Sequence, residues 1–160
     1  MADMVYVGGH MLNLATKARR QWEKSELKRL GFKVYNPVDN KKINSKTETN
    51  LNNLAETIVE HDLQAINESD ILIFDVADET IGTACEVAYL QGLKHQGIEK
   101  KVYIHSTDIR RTGRIAPTQD RQEWSMNQYY MGVILDVTDG RGIQTWDEIT
   151  ADLIREYGGY

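Results

Sequence analysis

A chain of 160 residues, 41% hydrophobic and 27% charged, has the balance of a soluble globular domain and can bury a core without disulfides or a structural metal. A formal net charge of -5 argues against a protein that grips the phosphate backbone of a nucleic acid polymer. Cys85 is the only cysteine, so no internal disulfide exists, and no apolar run approaches the ~20 residues of a membrane span. The expected setting is therefore the reducing cytoplasm, with no membrane partner.

In chain order, residues 4–7 read as a short buried strand that ends at Gly8 and Gly9. Residues 13–30 carry Ala15, Ala18, Trp22, Leu27 and Leu30 at helical intervals, and Gly31 is a stop signal. Residues 32–35 alternate like a strand that ends at Asn36-Pro37, where proline cannot continue the ladder. Residues 39–49 are polar and loop-like. Residues 49–68 form a long helix whose apolar stripe is Leu51, Leu54, Ile58, Ala65 and Ile66. The continuous apolar run 71–74 suits a strand covered on both faces. A loop over 75–81 precedes a helix over 82–96, with Ala84, Val87, Ala88, Leu90 and Leu93 facing inward. Residues 101–104 are another strand. The polar, basic stretch 106–123 is long for a connection, a length typical of functional loops. Helices follow over 126–135 and 147–157, the last with Thr145 as N-cap.

This order of alternating strands and helices implies one α/β domain over residues 1–160. Its architecture is an open parallel sheet of the Rossmann or flavodoxin type, with helices on both faces. Right-handed crossovers bring the C-terminal ends of the strands to one edge, where such sheets bind ligands. Residues 6–8, 37–39, 75–82 and the loop after His105 should converge there.

Glu86 follows Gly82 by four residues, in the first turn of its predicted helix, where the helix dipole favours an anion by ~0.3–1 kcal/mol. An ionised glutamate at a ligand crevice can attack an anomeric carbon and form a glycosyl ester. The same residue could equally serve the dipole alone. Asp62 falls within the apolar stripe of the preceding helix. Burial would raise its pKa and suit it to proton transfer or to holding a hydroxyl, the alternative being a bond to a neighbouring loop. His61 points about 100° away and reads as a surface group. Gly8 and Gly9 permit close backbone approach, but the sequence lacks GxGxxG and a phosphate-loop lysine, so no cofactor is implied. His10, His95 and His105 show no metal-ligand spacing with each other or with Cys85, and no metal site is expected. Cys85 reads as a packed thiol. Arg110, Arg111, Arg114 and Arg121 read as a solvated loop or a phosphate attractor.

Several ordered pieces resemble the nucleoside 2-deoxyribosyltransferase family: Tyr6-Val7-Gly8-Gly9, Pro37-Val38-Asp39-Asn40, Asp62-Leu63 with Ser69-Asp70-Ile71, Gly82-Thr83-Ala84-Cys85-Glu86 with Ala88-Tyr89, Asn127 with Gly132, and the terminal Tyr160. The resemblance implies that Glu86 attacks C1′ of a 2′-deoxynucleoside, that a second nucleobase resolves the ester with net retention, and that Tyr6 orients Glu86. It places the proton-handling acids near Asp62 and in the loop before the nucleophile. Gly8, Gly9, Asp39, Asp78, Thr80 and Gly82 would line the substrate. Asn127 and the Tyr160 carboxylate would bind the 5′-hydroxyl region across a subunit boundary, which implies a homo-oligomer with shared sites. Partners would be 2′-deoxynucleosides and free nucleobases. Two departures stand out. The family's aspartate six residues before the nucleophile is Thr80 here, with Asp78 the nearest loop acid, and a base-reading glutamine is replaced by Lys41.

A rival within the same superfamily is a 2′-deoxynucleoside 5′-monophosphate N-glycosidase, which hands the same intermediate to water. Thr80 favours it; the absence of a Ser- and Arg-bearing phosphate loop at residues 9–12 opposes it. A phosphoribohydrolase would need a Pro-Gly-Gly that is absent before Gly82. A non-catalytic nucleotide-sensing module would not need Glu86 at all.

Overall fold

A computed structural model describes residues 3–40, 51–109 and 126–158. Strands β1 (Met4–Gly9), β2 (Lys33–Tyr35), β3 (Ile71–Asp75), β4 (Lys101–His105) and β5 (Ile143–Gln144) form one sheet in the order β2-β1-β3-β4-β5. Every pairing is parallel. The helices are α1 (Leu14–Arg29), α2 (Leu54–Glu68), α3 (Ile81–His95), α4 (Gln128–Val137) and α5 (Trp146–Tyr157). Because all strands run the same way, Gly9, Asp75 and His105 lie abreast at one edge, in register across β1, β3 and β4.

The strand period of two divides the core between the faces of the sheet. Tyr6, Leu72, Phe74, Val102 and Ile104 pack with Ala65 and Ile66 of α2, Val87 and Leu90 of α3, and Met131 and Ile134 of α4. Val5, Val7, Ile71, Ile73 and Tyr103 pack on the other face with Leu27 of α1 and Ile149 and Leu153 of α5. All five residues of β3 are buried, as expected of a central strand covered on both sides. Capping boxes start α1 at Asn13 and α5 at Thr145, the latter the expected N-cap.

The helix faces hold the main corrections. Along α1, Ala15, Ala18 and Trp22 are exposed, and the buried residues are Arg20, Glu23 and Leu27. The helix is turned so that two charged side chains meet the strand ends. In α3, Ala88 is exposed while Thr83, Val87, Leu90 and Leu93 are buried. Helix α4 lies two residues later at each end than the hydrophobic pattern indicates. Strand β5, with two residues, gives no periodic signal and was not expected. The predicted start of the second helix, Lys41, most of the long loop and Tyr160 fall outside the described residues.

Candidate active site

Tyr6 is fully buried in β1, its ring stacked on Tyr35 at 5.6 Å and 13° and tilted against Phe74. That packing fixes the phenol, whose hydroxyl donates to Glu86 Oε1 at 2.5 Å. Gly8 permits this arrangement, since a Cβ there would lie 2.5 Å from Phe74 Cδ1. Helix α3 begins at Ile81, so Glu86 lies in its second turn, beyond the reach of the dipole that the sequence suggested. Burial governs this carboxyl instead. It raises the Glu86 pKa to about 7, against the opposing hydrogen bond from Tyr6 and with a smaller push from the Asp62 charge. Glu86 is thus poised near neutrality rather than held ionised.

Asp62 of α2 joins this pair. Burial raises its pKa to about 6, partly offset by the neighbouring His61. Its Oδ1 is buried and has no hydrogen-bond partner among the described residues. Its charge acts on Tyr6, Tyr35 and Glu86, and together with burial and Glu86 it pushes the Tyr6 phenol well above its ordinary range. The structure therefore brings Tyr6, Asp62 and Glu86 together at the strand-end edge, with Gly8 beside them.

Several other expected site residues hold contacts within the chain. Asp39 accepts from Lys24 Nζ at 2.6 Å and Gln21 Nε2 at 2.7 Å, bonds that outweigh partial burial and lower its pKa. Asp78 is exposed and faces His10 Nδ1 at 3.6 Å. Asp78 and its neighbour Glu79 both take positive φ, at 63° and 43°, an uncommon conformation for two successive non-glycine residues. Thr80 Oγ1 donates to Thr83 Oγ1 at 2.9 Å. Gly82 has open space around it, so packing does not demand glycine there. Asn127 caps α4, its Oδ1 accepting from Tyr130 N at 3.1 Å while its own N–H donates to the Glu79 carboxylate.

Three residues depart from the sequence pattern. Cys85 is exposed rather than packed. His61 is half-buried rather than a free surface group, and it lines a cavity of about 550 Å³ with Tyr35, Asn36, Asp39 and Gln64. Tyr130 is buried, its hydroxyl lacks a partner among the described residues, and burial and the charges of Glu86 and Glu79 raise its pKa. An amphipathic pattern reads Tyr130 as core and carries no sign of an orphaned hydroxyl near an acid.

The raised Glu86 pKa has a stability consequence. Protonation of Glu86 is easier in the folded state (about 7) than at its ordinary 4.5, so its contribution is fully present below about pH 4.5 and lost as pH rises through about 7. Glutamine mimics the protonated form. Glu86→Gln is expected to stabilise the fold at pH 8 by about 2 kcal/mol, a Tm rise of roughly 4–8 °C. The gain should vanish near pH 4.5. Thermal melts at the two pH values check this, and a pH-independent difference would reject it.

Residues 5–140 match the family model described as Nucleoside 2-deoxyribosyltransferase. The chain belongs to this family. An uncharacterized protein of Ureaplasma parvum serovar 3 is 28% identical over 115 residues, covering 66% of this chain and 71% of that protein. Among solved structures, a conserved protein from Enterococcus faecalis V583 superposes with a TM-score of 0.68 at 20% identity, over 98% of this chain and 99% of the other. A 2-deoxyribosyltransferase from Bacillus psychrosaccharolyticus gives 0.58 at 20% identity, over 91% and 89%. A 2-desoxiribosyltransferase from Leishmania mexicana gives 0.58 at 16% identity, over 97% and 99%. At these identities the likeness to solved structures establishes the deoxyribosyltransferase fold. No helix among the described residues is long and apolar enough to cross a membrane.

Proposed function

We propose that this protein moves a 2-deoxyribosyl group between nucleobases through an ester on Glu86. A Glu86 carboxylate oxygen bonds to C1′ as the C1′–N bond breaks, and the departing base takes a proton from Asp62. The incoming base gives a proton back to Asp62, attacks C1′ and releases the Glu86 carboxylate, so two inversions yield net retention. The observation that carries this reading is the 2.5 Å bond from Tyr6 to Glu86 beside the buried Asp62 Oδ1, which has no hydrogen-bond partner among the described residues. Glu86 has a donor that favours its anion; Asp62 Oδ1 has none among the described residues. That asymmetry suits Glu86 as nucleophile and Asp62 as acid.

The test is to incubate the protein with deoxyinosine and adenine, and separately with deoxyinosine alone or dCMP alone. Deoxyadenosine appearing in the first mixture supports transfer. Free deoxyribose or its phosphate as the only sugar product supports hydrolysis. That second reading draws on one observation: Asp78 faces His10 and Thr80 bonds to Thr83, so neither orients an acid toward an incoming base. Water needs no such holder.

The family resemblance also points to a homo-oligomer with shared sites. Leu12, Leu14, Ile81, Ile109 and Tyr129 support this, each at least 80% exposed and each following a strand end or opening a helix at the ligand-binding edge. Apolar side chains so placed are suited to burial against a second copy. Light scattering that finds an active monomer would dismiss the shared site.

A further inference from the structure

Helix α1 sends a completely buried guanidinium under the site. Arg20 Nη1 donates to Gly8 O at 3.0 Å, and Nη2 donates to Asp75 Oδ2 and Glu23 Oε1, each at 2.7 Å. Asp75, at the end of β3, also accepts from Ala77 N at 3.0 Å, Thr107 N at 3.1 Å and Thr107 Oγ1 at 2.7 Å. Glu23 Oε1 faces His105 Nε2 at 3.2 Å and accepts from Arg19 Nε at 2.8 Å. One side chain thus joins α1 to the ends of β1 and β3, and through Asp75 to the loop after β4.

Ligand atoms of Glu23, Asp75 and His105 lie within 4.8 Å of one another, a spacing that could hold a metal, but the Arg20 guanidinium already binds both carboxylates. The backbone is shaped to the same group. Gly9 has φ of 139°, and a Cβ there would lie 2.0 Å from Arg20 Nη1. Among the described residues, the network leaves Arg20 Nε and Glu23 Oε2 without partners. Apolar packing often stabilises a fold better than such an incompletely satisfied ionic cluster, so stability alone does not account for it. Geometry does. Gly8 O is held two residues beyond Tyr6, the residue whose hydroxyl meets Glu86.

We propose that Arg20 is a positioning residue: its planar fork sets the end of β1, and with it Tyr6, relative to Glu86. This rests on the reading of Glu86 as the nucleophile. Arg20→Lys keeps the charge, but a single ammonium nitrogen cannot reproduce the planar spacing of the Nη1 and Nη2 bonds. An ångström-scale displacement can cost about 10²-fold in rate, so kcat for base exchange is expected to fall roughly 10–100-fold while KM changes by less than about threefold. A merely structural role would lower Tm and leave kcat per folded molecule unchanged, which would overturn the proposal. Should Arg20→Lys fail to fold, Thr107→Val decides. It removes one bond to Asp75 at an exposed position, and a kcat equal to that of the parent overturns the proposal. Should the parent show no exchange or hydrolysis, the reading of Glu86 fails separately, and amide hydrogen exchange at Ala77 and Thr107 becomes the deciding measurement. Faster exchange there in Arg20→Lys supports the anchoring; unchanged protection overturns it.

Discussion

Glu86→Ala is expected to abolish base exchange, by on the order of 10⁴-fold or more, which corresponds to about 5.5 kcal/mol of lost transition-state stabilisation. Without the carboxylate, no ester can hold the sugar between the departure of one base and the arrival of the next. The fold should survive the change. Glu86 is a carboxyl whose pKa burial raises to about 7, so above neutrality its removal relieves a desolvation penalty. The offsetting cost is the Tyr6 hydroxyl left without its acceptor, roughly 1–3 kcal/mol. A melting temperature near that of the parent, together with lost exchange, separates chemistry from unfolding. Acid-quenched parent protein incubated with a deoxynucleoside should carry a deoxyribosyl adduct on the peptide containing Glu86. Undiminished exchange by Glu86→Ala would remove this residue from the mechanism.

Much of the candidate site is legible because the strand order alone brings residues from distant parts of the chain to one edge. Tyr6, Asp62 and Glu86 each follow from an element that the sequence pattern places correctly, and the family motifs join them. The sheet's parallel order follows from the alternation of strands and helices in the same way. The face of α1 was not legible. Ala15, Ala18 and Trp22 make an apolar series, and charged residues are seldom fully buried, so Arg20 and Glu23 read as solvent-facing. Only the three-dimensional meeting of Gly8, Glu23 and Asp75 around one guanidinium reverses that reading. The dipole argument for singling out Glu86 needs correction. The glycine at position 82 suggested a helix start that would put Glu86 under the dipole, whereas the helix starts at Ile81 and burial controls the group. The departure at Thr80 is now tied to geometry as well, since Asp78 is drawn to His10.

Asp62→Asn should lower kcat by about 10²–10⁴-fold, the range expected for loss of a general acid or base, and should change the shape of the pH profile. In the parent, burial raises the Asp62 pKa to about 6 and the Glu86 pKa to about 7. Between them the pair holds one proton, which belongs to both groups rather than to either. The productive arrangement has Glu86 ionised and Asp62 protonated, and the Tyr6 hydroxyl favours it by donating to Glu86. A bell-shaped dependence of kcat/KM with its maximum near pH 6.5 follows. Below about pH 6 both carboxyls are protonated and above about pH 7 both are ionised, so the one-proton state is lost on either side. Asparagine removes the descending limb because no acid remains to ionise. It also removes the negative charge that raises the Glu86 pKa, so the ascending limb moves to lower pH. The loss should be smallest with a nucleoside whose base departs without prior protonation, since that substrate needs the acid least. Initial rates from pH 5 to pH 9 with an ordinary and an activated leaving base provide the measurement. A parent-like bell and a kcat within threefold of the parent would exclude Asp62 from proton transfer and leave the departing base to take its proton from solvent.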